Sequence, residues 1–83
     1  MSNENNRVAV ITGAAGGVGQ STVKKFVEHG YTVIGTDIRL PEGLFEHPSV
    51  SYQTCDVTSE SDWMALAKST VADHGKLDVL VNN

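Results

Sequence analysis

The chain has 83 residues, 40% of them hydrophobic and 19% charged, with a formal net charge of -4. That is one small domain at most, able to bury only a little over about 60% of its unfolded surface. The scattered Lys and Arg make no basic stripe for nucleic acid and no basic amphipathic helix for a membrane surface, and no apolar run reaches the ~20 residues of a membrane span.

Residues 1–6 read as a solvated tail with no signal-peptide core. "RVAVITG" is a continuous β-branched run closed by Gly13, the pattern of a strand buried on both faces of a parallel sheet. "AAGGV" is a loop. "GQSTVKKFVEHG" places Val23, Phe26 and Val27 at helical spacing and Gly30 as the stop. "YTVIGTD" is the second strand, ending at Asp37. "IRLPEGLFEHPS" is a proline-containing loop with one helical turn expected near Leu44 and Phe45. "VSYQTCDV" is a more polar, edge-type third strand. Ser59 and Asp62 resemble a capping box, and Trp63, Leu66, Ala67, Thr70, Val71 and His74 define one face of the helix that follows. "LDVLV" is the fourth strand.

Alternation of strands and helices predicts an α/β fold, a partial Rossmann-type doubly wound parallel sheet. Its four strands take the order 3-2-1-4, with helices on both faces. Cys55 is the only cysteine, so no intrachain disulfide can form, which fits a reducing, cytoplasmic location. The three histidines have no metal-ligand spacing.

"TGAAGGVG" joins strand 1 to helix 1. Glycines let backbone approach a ligand closely, and the helix N-terminus beyond them favours an anion such as a pyrophosphate. Gly13, three residues, Gly17, one residue and Gly19 is not the usual G-x-G-x-x-G spacing. Asp37 lies 18 residues past Gly19, at the end of strand 2, where a carboxylate accepts from a ribose and repels a 2′-phosphate.

With Thr12-Gly13-x-x-x-Gly17-x-Gly19, "CDVT" and "DVLVNN" in this order, the sequence resembles the short-chain dehydrogenase/reductase family over residues 7–83. The resemblance implies hydride transfer between a nicotinamide cofactor and an alcohol or carbonyl substrate. It implies that Gly13, Gly17 and Gly19 frame the pyrophosphate with Val18 backbone beside it, and that Asp37 holds the adenine ribose. Asp56 and the Val57 N–H would contact adenine, and Asn82 would tie strand 4 to strand 1 and line the groove. Family members that prefer NADP carry a basic residue where this chain has Gly16 or Ile38, so NAD is favoured, although Arg39 lies one residue further on.

The family's catalytic serine and its Y-x-x-x-K pair find no match. Four residues after Tyr31 stands Gly35, four after Tyr52 stands Asp56, and no serine follows strand 4. The expectation is therefore a truncated NAD(P)-binding half-domain over 7–83, inactive by itself. The alternative is a non-catalytic nucleotide-binding or self-associating remnant. The short link between strands 2 and 3 lacks the helix many relatives place there, with Leu44 and Phe45 expected to fold back as partial cover. A homo-oligomer is expected through the strand 4 edge or a bare sheet face.

Overall fold

A computed structural model describes residues 7–83. In chain order the elements are β1 (Val8–Ile11), α1 (Gly17–Glu28), β2 (Thr32–Asp37), β3 (Val50–Thr54), α2 (Glu60–His74) and β4 (Val79–Val81). The expected tail, 1–6, lies outside the described residues. The strands form one parallel sheet in the order β3-β2-β1-β4, as the alternating pattern requires. β1 sits in the middle, wholly buried, with Val10 opposite both Ile34 of β2 and Leu80 of β4. Its unbroken apolar sequence is the consequence of cover on both faces.

Successive residues point to opposite faces, so each central strand feeds two cores. Val8, Val10 and Ile34 pack with Cys55 and Leu66 of α2, bordered by Trp63 and Leu77. Ile11 and Val33 pack with Ala14 and Val23 of α1, bordered by Phe26, Val27 and Phe45. The helices therefore lie on opposite faces of the sheet.

Three local expectations change. Residues 38–49 contain no helical turn. The chain instead makes a tight turn at Glu42–Gly43, with Gly43 at φ +87°, and Phe45 then folds back onto the α1 core. On α2, Val71 faces solvent, His74 is exposed at the edge of the groove against β3, and the buried row runs through Leu66 and Thr70 with Trp63 and Ser69 half-buried. The reason is the polar partner: the second half of α2 lies beside Ser51 and Gln53 of β3, so Ser69 and Thr70 turn inward and the apolar Val71 turns out. Finally, the capping box is half formed. Ser59 Oγ accepts the Asp62 N–H at 3.3 Å, but the Asp62 carboxylate reaches back to the Asp56 N–H at 3.1 Å instead of to Ser59.

Asp78 sets how β4 enters the sheet. Its Oδ2 accepts the Val8 N–H at 2.8 Å, its own N–H donates to the Val8 carbonyl at 2.9 Å, and Lys76 Nζ is 3.3 Å away. The Val8 bond, helped by Lys76, holds this carboxyl below the usual carboxylate range.

Candidate functional site at the carboxyl ends of the strands

In an open parallel sheet ligands bind outside the carboxyl ends of the strands, where neighbouring connections diverge to opposite faces. Here that place lies between β1, followed by α1 on one face, and β4, preceded by α2 on the other. Thr12, the segment after Cys55 and Asn82 follow strand ends there, and Asp37 is the last residue of β2.

The connection from β1 to α1 is fixed by β2 and by the chain after β4. Ala14 N–H donates to the Thr36 carbonyl at 2.9 Å, and Ala15 N–H donates to Asp37 Oδ2 at 3.0 Å. Asp37 Oδ1 takes the N–H of Ile38 at 2.8 Å. On the other side the buried Thr12 hydroxyl donates to Asn82 Oδ1 at 3.0 Å and accepts the Asn83 N–H at 3.1 Å, while Asn83 Nδ2 donates to the Thr12 carbonyl at 2.9 Å. Asn82 thus shares its tying role with Asn83.

Three of the four glycines of the turn, Gly13, Gly17 and Gly19, do different work. Gly13 has φ +63°, a conformation that side chains resist, and a Cβ there would come within 3.3 Å of Asn83 Cβ. A Cβ on Gly19 would lie 1.9 Å from the Gly13 carbonyl oxygen and 2.7 Å from Ala14 Cα, so Gly19 is demanded by the packing of helix on turn. Gly17 meets nothing within 4 Å, so the protein itself gives no reason for a bare backbone there.

Helix α1 starts at Gly17, and its first intrahelical bond runs from Gln20 N–H to the Gly16 carbonyl at 2.8 Å. The N–H groups of Gly17, Val18 and Gly19 precede that bond. Gly16 offers no side-chain cap, the first turn contains no acid, and the Val18 side chain is 74% exposed. Such a terminus carries unpaired donors and the positive end of the helix dipole.

The segment after β3 forms the other wall. Asp56 Oδ1 accepts from Thr58 N–H at 3.0 Å and Thr58 Oγ1 at 2.6 Å, and these bonds hold its carboxyl below the ordinary range. Val57 is about half exposed and, with Thr12, Trp63, Leu80 and Asn82, lines a cavity of about 180 Å³. Cys55 is buried, which pushes its thiol up, with Asp62 and Asp56 adding to the effect. Among the described residues no group of His, Cys, Asp and Glu could hold a metal ion.

Three features escaped sequence reading. Gly35 is needed because a Cβ would lie 2.7 Å from the Tyr52 ring and 3.0 Å from Ala14 Cβ; a glycine inside a strand was the available signal. Asn83 was readable only as part of a motif. Gln20, whose amide joins Ala14, Phe45 and Tyr52, gave no signal at all.

A parallel α/β sheet with a glycine turn and a bare helix N-terminus at its switch point is the architecture of a dinucleotide-binding fold. The sequence profile described as short chain dehydrogenase matches residues 7–83, and the chain belongs to that family. It is 41% identical to short chain aldehyde dehydrogenase 1 of Euphorbia lathyris, over 93% of this chain and 29% of that protein. Ligand-free aldohexose dehydrogenase from Thermoplasma acidophilum superposes with a TM-score of 0.82 at 31% identity, covering 99% of this chain and 31% of the other. A short chain dehydrogenase from Leptospira borgpetersenii, solved with bound NAD+, shares the fold with a TM-score of 0.79 at 21% identity, covering 92% of this chain and 30% of that one. The chain thus spans under a third of the length of each of these proteins. Among the described residues no helix is long and apolar enough to cross a membrane.

Proposed function

We propose that residues 7–83 bind the adenosine and pyrophosphate part of NAD within an oxidoreductase of the short-chain dehydrogenase type. The observation that carries this reading is the start of α1: three unpaired N–H groups, no acid, no cap, and a glycine with open space beside it. The donor set suits a pyrophosphate, which needs several backbone N–H groups and close approach. Gly17, Val18 and Gly19 would supply those groups, and Gly13 would shape the turn beneath them. Asp37, placed against the turn by Ala15 N–H, has lone pairs left to accept from ribose hydroxyls and a charge that opposes a 2′-phosphate. Asp56 and Val57 would meet adenine, and Asn82, tied to Thr12, would line the groove beyond it.

When bound, the nicotinamide ring supplies hydride transfer, here with an alcohol or carbonyl compound as the substrate class. The residues of 7–83 bind and orient; they contain no Y-x-x-x-K pair to move the proton, so proton transfer falls to groups outside this segment. NAD is favoured over NADP because the residue after Asp37 is Ile38 and the one before Gly17 is Gly16, neither of them basic. Replacing Asp37 by Ala tests the assignment: the preference for NAD over NADP narrows. An unchanged ratio of affinities defeats it.

A second reading, self-association of the chain, is favoured by β4. Among the described residues it is an outer strand of the sheet, with Leu80 47% exposed. Apolar edge strands recruit other chains. Light scattering at high concentration is expected to show a dimer or larger species, and a clean monomer counts against it.

A further inference from the structure

Gln20 lies in the first turn of α1, yet its side chain serves three other segments. Its Nε2 donates to the Ala14 carbonyl at 2.8 Å and to the Tyr52 hydroxyl at 3.1 Å, and its Oε1 accepts the Phe45 N–H at 2.7 Å. The Tyr52 hydroxyl in turn donates to the Phe45 carbonyl at 2.7 Å. Both polar groups of the Phe45 backbone are therefore bound by side chains, one from α1 and one from β3. The amide can be oriented only one way, because a flip would set two donors and two acceptors against each other. Lys24 Nζ stands 5.6 Å from the centre of the Phe45 ring, and the ring itself packs on the α1 core.

These bonds close a loop. The stretch from Ile38 to Leu44 leaves β2 at Asp37, whose carboxylate is bound to Ala15, and is caught again at Phe45 by Gln20, which is also bound to Ala14. The two ends of this stretch are thus referred to neighbouring residues of the glycine turn, Ala15 at one end and Ala14 at the other. No helix covers residues 38–49, so the strap has no secondary structure of its own to fix it. We propose that Gln20, with Tyr52, is a positioning residue that straps this segment beside the ribose end of the dinucleotide groove and so sets the affinity and NAD-over-NADP preference of the site. The strap rests on the geometry above. Its effect on affinity rests on the nucleotide-binding reading.

The test uses the 83-residue chain with Gln20→Met, which keeps length and volume, and Tyr52→Phe, which keeps the ring against Gly35. Amide hydrogen exchange at Phe45, referred to its intrinsic rate, reads the strap without any ligand. Gln20→Met is expected to speed it about ten-fold or more, with the exchange of the β1 amides unchanged. Slow exchange of the Gln20 side-chain amide protons in the unaltered chain is a second signature, expected to weaken in Tyr52→Phe. NAD affinity is expected to fall about five-fold in Gln20→Met, the worth of roughly one hydrogen bond, and the NAD-to-NADP ratio to shift with it. The two substitutions together should cost less than the sum of each alone, as for groups in one network. Unchanged Phe45 exchange in Gln20→Met overturns the strap. Faster exchange with unchanged NAD affinity and ratio overturns its role at the site. If the unaltered chain binds no NAD, the nucleotide-binding reading fails, and the Phe45 exchange alone then decides whether the strap exists.

Discussion

Two strand-to-helix connections open at the same end of the sheet, and they treat their helix N-termini in opposite ways. At the start of α2, Ser59 caps the backbone, and Glu60 and Asp62 stand in the first turn, so donors and dipole are answered within the protein. At the start of α1 there is neither cap nor acid, and the turn is held from beneath by Thr36, Asp37 and Asn83. The first arrangement stabilises a helix. The second spends side chains on shaping the turn and leaves the helix end bare. A terminus left unanswered beside a glycine-built turn suits an anionic ligand, and the contrast within one small sheet is what supports the binding role proposed for α1.

The contrast can be broken at several points. Gly19→Ala has the largest expected effect, because its Cβ would collide with backbone that cannot swing aside; a loss of about 3 kcal/mol or more is expected in urea unfolding, enough to unfold so small a domain. Gly17→Ala should separate ligand from fold. NAD affinity should fall about ten-fold, equivalent to ~1.4 kcal/mol, while stability holds or rises by about 0.5 kcal/mol. Val18→Glu converts the α1 terminus toward the α2 type: the helix should gain about 0.5 kcal/mol while the titrated affinity for NAD drops. Ser59→Ala should cost about 1 kcal/mol in thermal unfolding and leave NAD affinity unchanged, because that cap serves only α2.

The smallest effect belongs to Asp78. Its folded carboxyl titrates below its unfolded value, so its contribution is present above the unfolded value and is lost as pH falls through the folded one. Thermal unfolding across the acid range should therefore show a steeper loss of stability for the natural chain than for Asp78→Asn, with both chains keeping the same strand order.

Much of the fold was legible because its causes are local. The β-branched run at Val8–Ile11 reports a strand covered on both sides, and the spacing of Val23, Phe26 and Val27 reports a helix face. The alternation of such segments then leaves few topologies. The glycine turn was legible by its motif, but the separate duties of Gly17 and Gly19 were not, since spacing does not show what a missing Cβ would have touched. The features that escaped are non-local. The bonds of Asp78 to Val8 and of Asn83 to Thr12 join residues about seventy positions apart, and no periodicity marks them. Gln20 sits where helix patterning assigns a surface polar residue, and only the folded-back Phe45 gives it partners. The face of α2 was misjudged at Val71 because apolar spacing predicts a buried row only when the surface opposite is apolar too, and Gln53 and Ser51 of β3 are not.

The central claim is that the bare end of α1, and not the capped end of α2, receives the pyrophosphate of NAD. Titrating the isotope-labelled chain with NAD while following every backbone amide tests it directly. The account predicts saturable shifts at Gly17, Val18 and Gly19, with smaller ones around Asp37 and Val57, and none of comparable size at Glu60, Ser61 and Asp62. No saturable shift at millimolar NAD, or shifts centred on the start of α2, would contradict it.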